Sequence, residues 1–185
     1  GLGPKVVICG MNTPEYWLRG PVAGISPMLQ PVAHALLQAR EEVNSLMAGF
    51  PEEKLWDRPA GLASPGFHLH HLSGVLDRLL TYAEGEALSR EQLAELAAEG
   101  RPHPGAETVR QGLDRLNQQI DKALQQMGRS FGVLTEPRAV GRDRIPSTVI
   151  GLLFHAAEHT MRHTGQLLVT VRILRAENQS GNRKE

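Results

Sequence analysis

HAAEHTMRHTGQ, residues 155–166, sets a histidine at every fourth position: His155, His159 and His163. On an α-helix this spacing stacks the three side chains along one face, one turn apart. Two imidazoles at i and i+4 reach one metal ion. Over two turns a straight helix drifts away, so a third ligand has to come from another element. The chain offers one in FHLHHLSG, residues 67–74, where His68, His70 and His71 crowd a single turn. The pattern proposes a metal held between two helices by histidines alone.

The rest of the chain reads as the bundle those two helices need. Ser26-Pro27 has the form of an N-cap followed by a first helical residue. Leu29, Val32, Ala33, Leu36, Leu37, Val43, Leu46 and Met47 then keep helical spacing to Gly49. Ser64-Pro65 repeats the start signal, and Leu69, Leu72, Leu76, Leu79 and Leu80 carry a second helix to Glu84. Ser89 with Gln92 forms a capping box for a short helix over 89–98, which the Gly-Arg-Pro-His-Pro-Gly run at 100–105 breaks. Val109, Leu113, Leu116, Ile120, Ala123 and Met127 alternate steps of four and three, an a/d stripe for the third long helix. The fourth, bearing the histidines, is expected from Pro146 through Leu174. In the connection 129–145, VLTE and RAV are expected to pair briefly across Pro137. The sum is an all-α four-helix bundle with a short extra helix between helices two and three. Its long connections at 50–63, 85–104 and 129–145 permit crossovers. The expected organisation is an extended lead-in over 1–26, the bundle over 27–176, and a polar tail over 177–185. Met11 is a candidate start of the folded part.

Composition narrows the partners. At 185 residues the chain suits one domain with a sizeable core. Twenty basic residues balance 20 acidic ones, and aromatics are only 4%, so phosphate neutralisation and base stacking find little support. No apolar run reaches membrane-spanning length, and VVIC near the N-terminus is too short for a signal-peptide core. Cys9 is the single cysteine, which excludes an intrachain disulfide and a cysteine-built metal site, and fits a reducing cytoplasm.

Neutral imidazole suits zinc, nickel, iron and copper, and three nitrogens leave a coordination position open for water or a substrate thiol. Two registers compete on the fourth helix. His155 and His159 enclose HAAEH, the H-x-x-E-H form of inverted zinc peptidases, in which Glu158 would be the general base. That register needs a downstream acidic ligand, and only Glu177 and Glu185 follow. The other register uses His159 and His163, completed from helix two.

FHLHHLSGVLDRLLTYAEG resembles the second helix of the DinB/YfiT-like metalloenzyme superfamily, where a ligand histidine precedes a small-residue pair and an apolar run. EHTMRHTGQLL resembles its fourth-helix signature, E-H-x-x-x-H-x-G-Q. The resemblance covers residues 27–175. It implies that His71, His159 and His163 bind a divalent transition metal, zinc or nickel ahead of iron or manganese. His155 would then line the pocket or support the ligands. It further implies an up-down-down-up helix order, a homodimer, and a small-molecule substrate. The chemistry implied is transfer of a low-molecular-weight thiol to an electrophile, with the metal presenting the thiol as a thiolate. A metal-dependent hydrolase and a non-catalytic metal-binding stress protein are the alternatives.

Other residues carry smaller expectations. His68 and His70 are expected to be exposed or capping. Gly165 is expected to allow close packing, and Gln166 to bond a ligand histidine or to sit on the surface. Asp77 could orient a ligand imidazole, or form an exposed pair with Arg78. Arg138, Arg142 and Arg144 could rim the metal pocket and hold an anion. Tyr16, Trp17 and Trp56 are read as packing aromatics on the bundle surface or at a dimer contact.

Overall fold

The computed structural model describes residues 13–102 and 108–181, with side chains as far as residue 177. Cys9, Met11, the second half of the 100–105 break and the end of the polar tail lie outside the described residues.

Five helices and one hairpin make the fold: α1 Gln30–Met47, α2 Pro65–Ala83, α3 Arg90–Ala98, α4 Val109–Arg129, β1 Pro137–Val140, β2 Ile145–Thr148 and α5 Val149–Gly181. Their starts follow from local chemistry. The Ser64 hydroxyl accepts from the Phe67 N–H and caps α2. Reciprocal capping boxes, Ser89 with Gln92 and Thr108 with Gln111, open α3 and α4. Ser26 departs from expectation: its hydroxyl makes no cap bond, and a 3₁₀ turn over Pro27–Leu29 leads into α1 instead.

Bonds between helices give their directions. Arg40 and Asn44 of α1 reach Asp121 and Asn117 of α4, in reversed order, so these two helices are antiparallel. Asp77 of α2 meets Gln119 of α4, and Leu80 meets Gln126, so α2 and α4 are parallel. His71 and His68 of α2 face His159 and His163 of α5, again reversed. Arg175 of α5 bonds the carbonyls of Leu46 and Ala48 at the end of α1, so α5 runs with α1. The order is up, down, down, up. Leu36, Leu72, Leu76, Leu116, Ile120, Leu153 and Leu167 fill the centre, all essentially inaccessible to solvent. Gly112 of α4 lets that helix approach α2 closely, since a Cβ there would lie 2.9 Å from Leu69 Cδ1.

The hairpin differs from the pairing expected across Pro137. Pro137 opens β1, opposite Thr148, and Val140 lies opposite Ile145. Pro137 has no N–H to give to a ladder, so it occupies a strand end. The VLTE residues instead bond the first turn of α5, with Leu134 O accepting from Ile150 N and Glu136 O from Val149 N. Pro146 belongs to β2, and α5 starts only at Val149. At its far end α5 runs past Leu174 to Gly181, into the stretch expected to be a polar tail.

Candidate metal centre

α2 and α5 cross antiparallel with their histidines opposed. His71, His159 and His163 each offer a ring nitrogen, and the three nitrogens lie within 4.8 Å of one another. His71 Nε2 and His159 Nε2 are 2.9 Å apart. Two nitrogens on a tetrahedral zinc-like ion would sit about 3.3 Å apart, so a slight parting of the rings admits an ion. The His71 and His163 ring centres lie 4.4 Å apart in an edge-on meeting, and those of His159 and His163 lie 4.6 Å apart with the rings tilted. Burial and the neighbouring histidines keep His159 below the ordinary histidine pKa, and push His163 down to about 4. His159 and His163 are therefore neutral near pH 7, the form in which imidazole binds metal.

Two of the three rings are held from behind. The His71 Nδ1–H donates to Glu99 Oε2 at 2.8 Å, and the other oxygen of Glu99 pairs with the Arg78 guanidinium at 2.7 Å. Burial of Glu99 opposes its ionisation, but the bonds from His71 and Arg78 outweigh it and keep the carboxyl below its usual range. A carboxylate on the rear nitrogen fixes the tautomer and makes Nε2 the better donor to a metal. Gly74, one turn beyond His71, provides the room. A Cβ there would stand 2.7 Å from Glu99 Oε1 and 2.8 Å from an Arg78 nitrogen. His163 Nδ1 bonds His68 Nδ1 at 3.3 Å, and burial, reinforced by His71, lowers His68 to about 4. Phe67 stacks on His71 with ring centres 5.2 Å apart. Among the described residues nothing bonds the buried Nδ1 of His159.

Several expectations are corrected. His68 and His70 are buried rather than exposed, because α2 is enclosed by α3, α4 and α5 and has little free surface. His70 turns to the other side of α2 and meets the edge of Trp56. Trp56 is itself half-buried and packs over Gly66. Asp77 does not orient a ligand. Its carboxylate accepts from Gln92 and Gln119, since six residues of helical rotation carry it off the His71 face. Arg78 is likewise no exposed partner of Asp77; it is buried against Glu99. Gly165 is exposed, and a Cβ there would meet nothing within 4 Å, so it serves no close packing. Gln166 lies on the surface. Arg138, Arg142 and Arg144 line a groove of about 600 Å³ with Tyr82, Leu88 and Leu93, and no histidine of the cluster belongs to its lining. Of the N-terminal aromatics, Tyr16 is half-buried beneath the Arg19 guanidinium, and Trp17 is exposed.

Glu99 is the residue that sequence reasoning missed. One signal pointed to it: it caps the C-terminal end of α3, where the helix dipole disfavours a carboxylate unless cations compensate.

A four-helix bundle with parallel middle helices and histidines facing across α2 and α5 defines a class of helical proteins with a candidate metal centre. The chain belongs to the DinB superfamily, whose family model matches residues 35–167. Comparison with curated proteins finds no match. No helix among the described residues is long and apolar enough to cross a membrane.

Proposed function

We propose that His71, His159 and His163 hold one divalent transition metal, zinc or nickel ahead of iron or manganese, and that the protein is a metal-dependent enzyme transferring a small thiol to an electrophile. The observation that carries the metal reading is the convergence of three imidazole nitrogens from two helices, one of them backed by the Glu99 carboxylate. Bound there, the metal would supply Lewis acidity, lowering the pKa of a substrate thiol. The chain's own residues do the rest. Glu99 holds His71 in one tautomer, His68 holds His163, and Phe67 stacks on His71 and limits water on that side. The thiol itself follows from family likeness and not from a residue that selects sulfur.

The hydrolase reading needs Glu158 as a free base. Its two oxygens are instead engaged by His155 at 2.7 Å and Arg162 at 2.8 Å, which makes it the weaker candidate. We also take the protein to act in the cytoplasm as a homodimer, joined through the apolar Val169 and Ile173 exposed on the far half of α5.

Titrating cobalt-loaded protein with small thiols tests the reaction class. A thiol that reaches the metal changes the cobalt visible spectrum and is consumed when an electrophile is added. Ester cleavage with no thiol present and no spectral response to thiols would favour the hydrolase.

A further inference from the structure

His155 and Glu158 are left over by the inner cluster, yet they adjoin it. His155, Glu158 and His159 occupy i, i+3 and i+4 on α5, and each offers a ligand atom within 4.8 Å of the others. Two imidazoles one helical turn apart, with a carboxylate between them, form a mixed nitrogen and oxygen donor set suited to zinc, nickel or cobalt. The set lies further out than the inner one. The His155 side chain is 49% exposed, against 17% for His71. The ring centres of His155 and His159 are 5.3 Å apart, and His159 is a member of both sets.

We propose that His155, Glu158 and His159 form an outer station for a divalent transition metal, from which the ion passes to His71, His159 and His163 by exchange about the shared His159. This rests on the inner metal reading. The difference in donors sets the direction of transfer. Arg162 shares the Glu158 carboxylate and places a cation beside any ion bound outside. The His155–Glu158 bond must also open or rearrange for both to become ligands. The inner set is all imidazole, with Glu99 behind His71 strengthening it. The outer station is therefore the weaker and more accessible of the two, as a loading site must be if the ion is to move on.

The test uses the full chain, stripped of metal and titrated with cobalt or zinc alone. Removing the inner site with His71→Ala and His163→Ala together should leave saturable binding, weaker than wild type by roughly a hundredfold. Adding His155→Ala should abolish that remainder, and Arg162→Gln should strengthen it. In the otherwise wild-type chain, His155→Ala should keep the final affinity within about threefold while slowing stopped-flow cobalt loading at least about fivefold. Circular dichroism checks that each variant is folded, and the loading rate of the single variant decides the matter should the double variant fail to fold. No binding in a folded double variant, or unchanged loading in His155→Ala, overturns the outer station and leaves the inner site standing. Wild-type protein that binds no metal overturns the inner reading itself.

Discussion

The two sides of the candidate metal centre are built to different standards. On the α2 side, buried Arg78 and half-buried Glu99 and His71 form a chain of charge-assisted contacts, and the rear nitrogen of the imidazole has an ionised acceptor. On the α5 side, His159 has no partner for its Nδ1 among the described residues. The consequence is tautomeric. Glu99 accepts the His71 Nδ1 proton, which holds that ring with its Nε2 turned to His159 Nε2 across the 2.9 Å contact. An ion held by His159 Nε2 would leave the ring proton of that histidine on Nδ1, for which no acceptor stands among the described residues. The α2 side is thus a fixed jaw, set before metal arrives. The α5 side has to rearrange.

The largest effect expected is loss of the ligands themselves. His71→Ala, His159→Ala and His163→Ala should each abolish tight binding in a chelator competition, and with it the rise in melting temperature that metal gives the wild type. That rise should correspond to about 2.7 kcal/mol at a hundredfold excess over Kd. Retention of tight binding in any one of the three would break the proposed ligand set.

Next comes the support of the fixed jaw. Glu99→Gln should weaken metal binding by about 10- to 100-fold while the protein stays folded. His68→Leu should cost less, because the bond it removes joins two neutral rings rather than a ring and a carboxylate. Equal losses, read by the same competition, would mean that the two sides do not differ in the way described.

Gly74→Ala sharpens the same contrast at smaller scale. The new methyl meets the far ends of two flexible side chains, and alanine gains about 1 kcal/mol of helix propensity over glycine. Melting of the apo protein should therefore change little, while metal affinity falls several-fold as Glu99 is pushed from His71. A drop in stability with affinity intact would place Gly74 in packing rather than in the site.

The pH response of the apo protein follows from His68 and His163, both at about 4 in the folded chain because of burial and neighbouring histidines. An unfolded chain holds these groups near ~6.5 and so binds more protons between the two values. Their contribution is fully present above ~6.5 and is lost as pH falls from there toward 4. Denaturant midpoints measured across that window should decline, and the decline should flatten in a folded His68→Leu variant. The smallest effect concerns association: Val169→Lys with Ile173→Lys should turn a dimer of 20.3 kDa chains into monomers by light scattering without disturbing metal binding.

How much of this was legible differs by residue. The helices were, because capping signals at Ser64 and Ser89 and the stripe from Val109 to Met127 are local. The meeting of His71, His159 and His163 was legible because four-residue spacing is a property of one helix, and the family likeness pointed to the facing residue. Glu99 was not, since its approach to His71 depends on where the α3 segment is laid across α2. The hairpin was misplaced by a few residues because Pro137 reads equally well as a divider and as the first residue of a strand. The burial of His68 and His70 followed from the number of helices around α2, which no single helix pattern reveals.

Parallel middle helices impose one last consequence. After α2 has run down the bundle, the chain must climb its whole length again before α4 can begin, and α3 lies on that return path. The path passes the level of His71 and sets Glu99 there. A bundle of simple alternating helices would have a short turn at this point and no backbone passing the site. Here the detour demanded by topology carries the carboxylate that steadies His71. Trimming or lengthening the 84–98 segment to tidy a loop would detune the centre without touching any histidine.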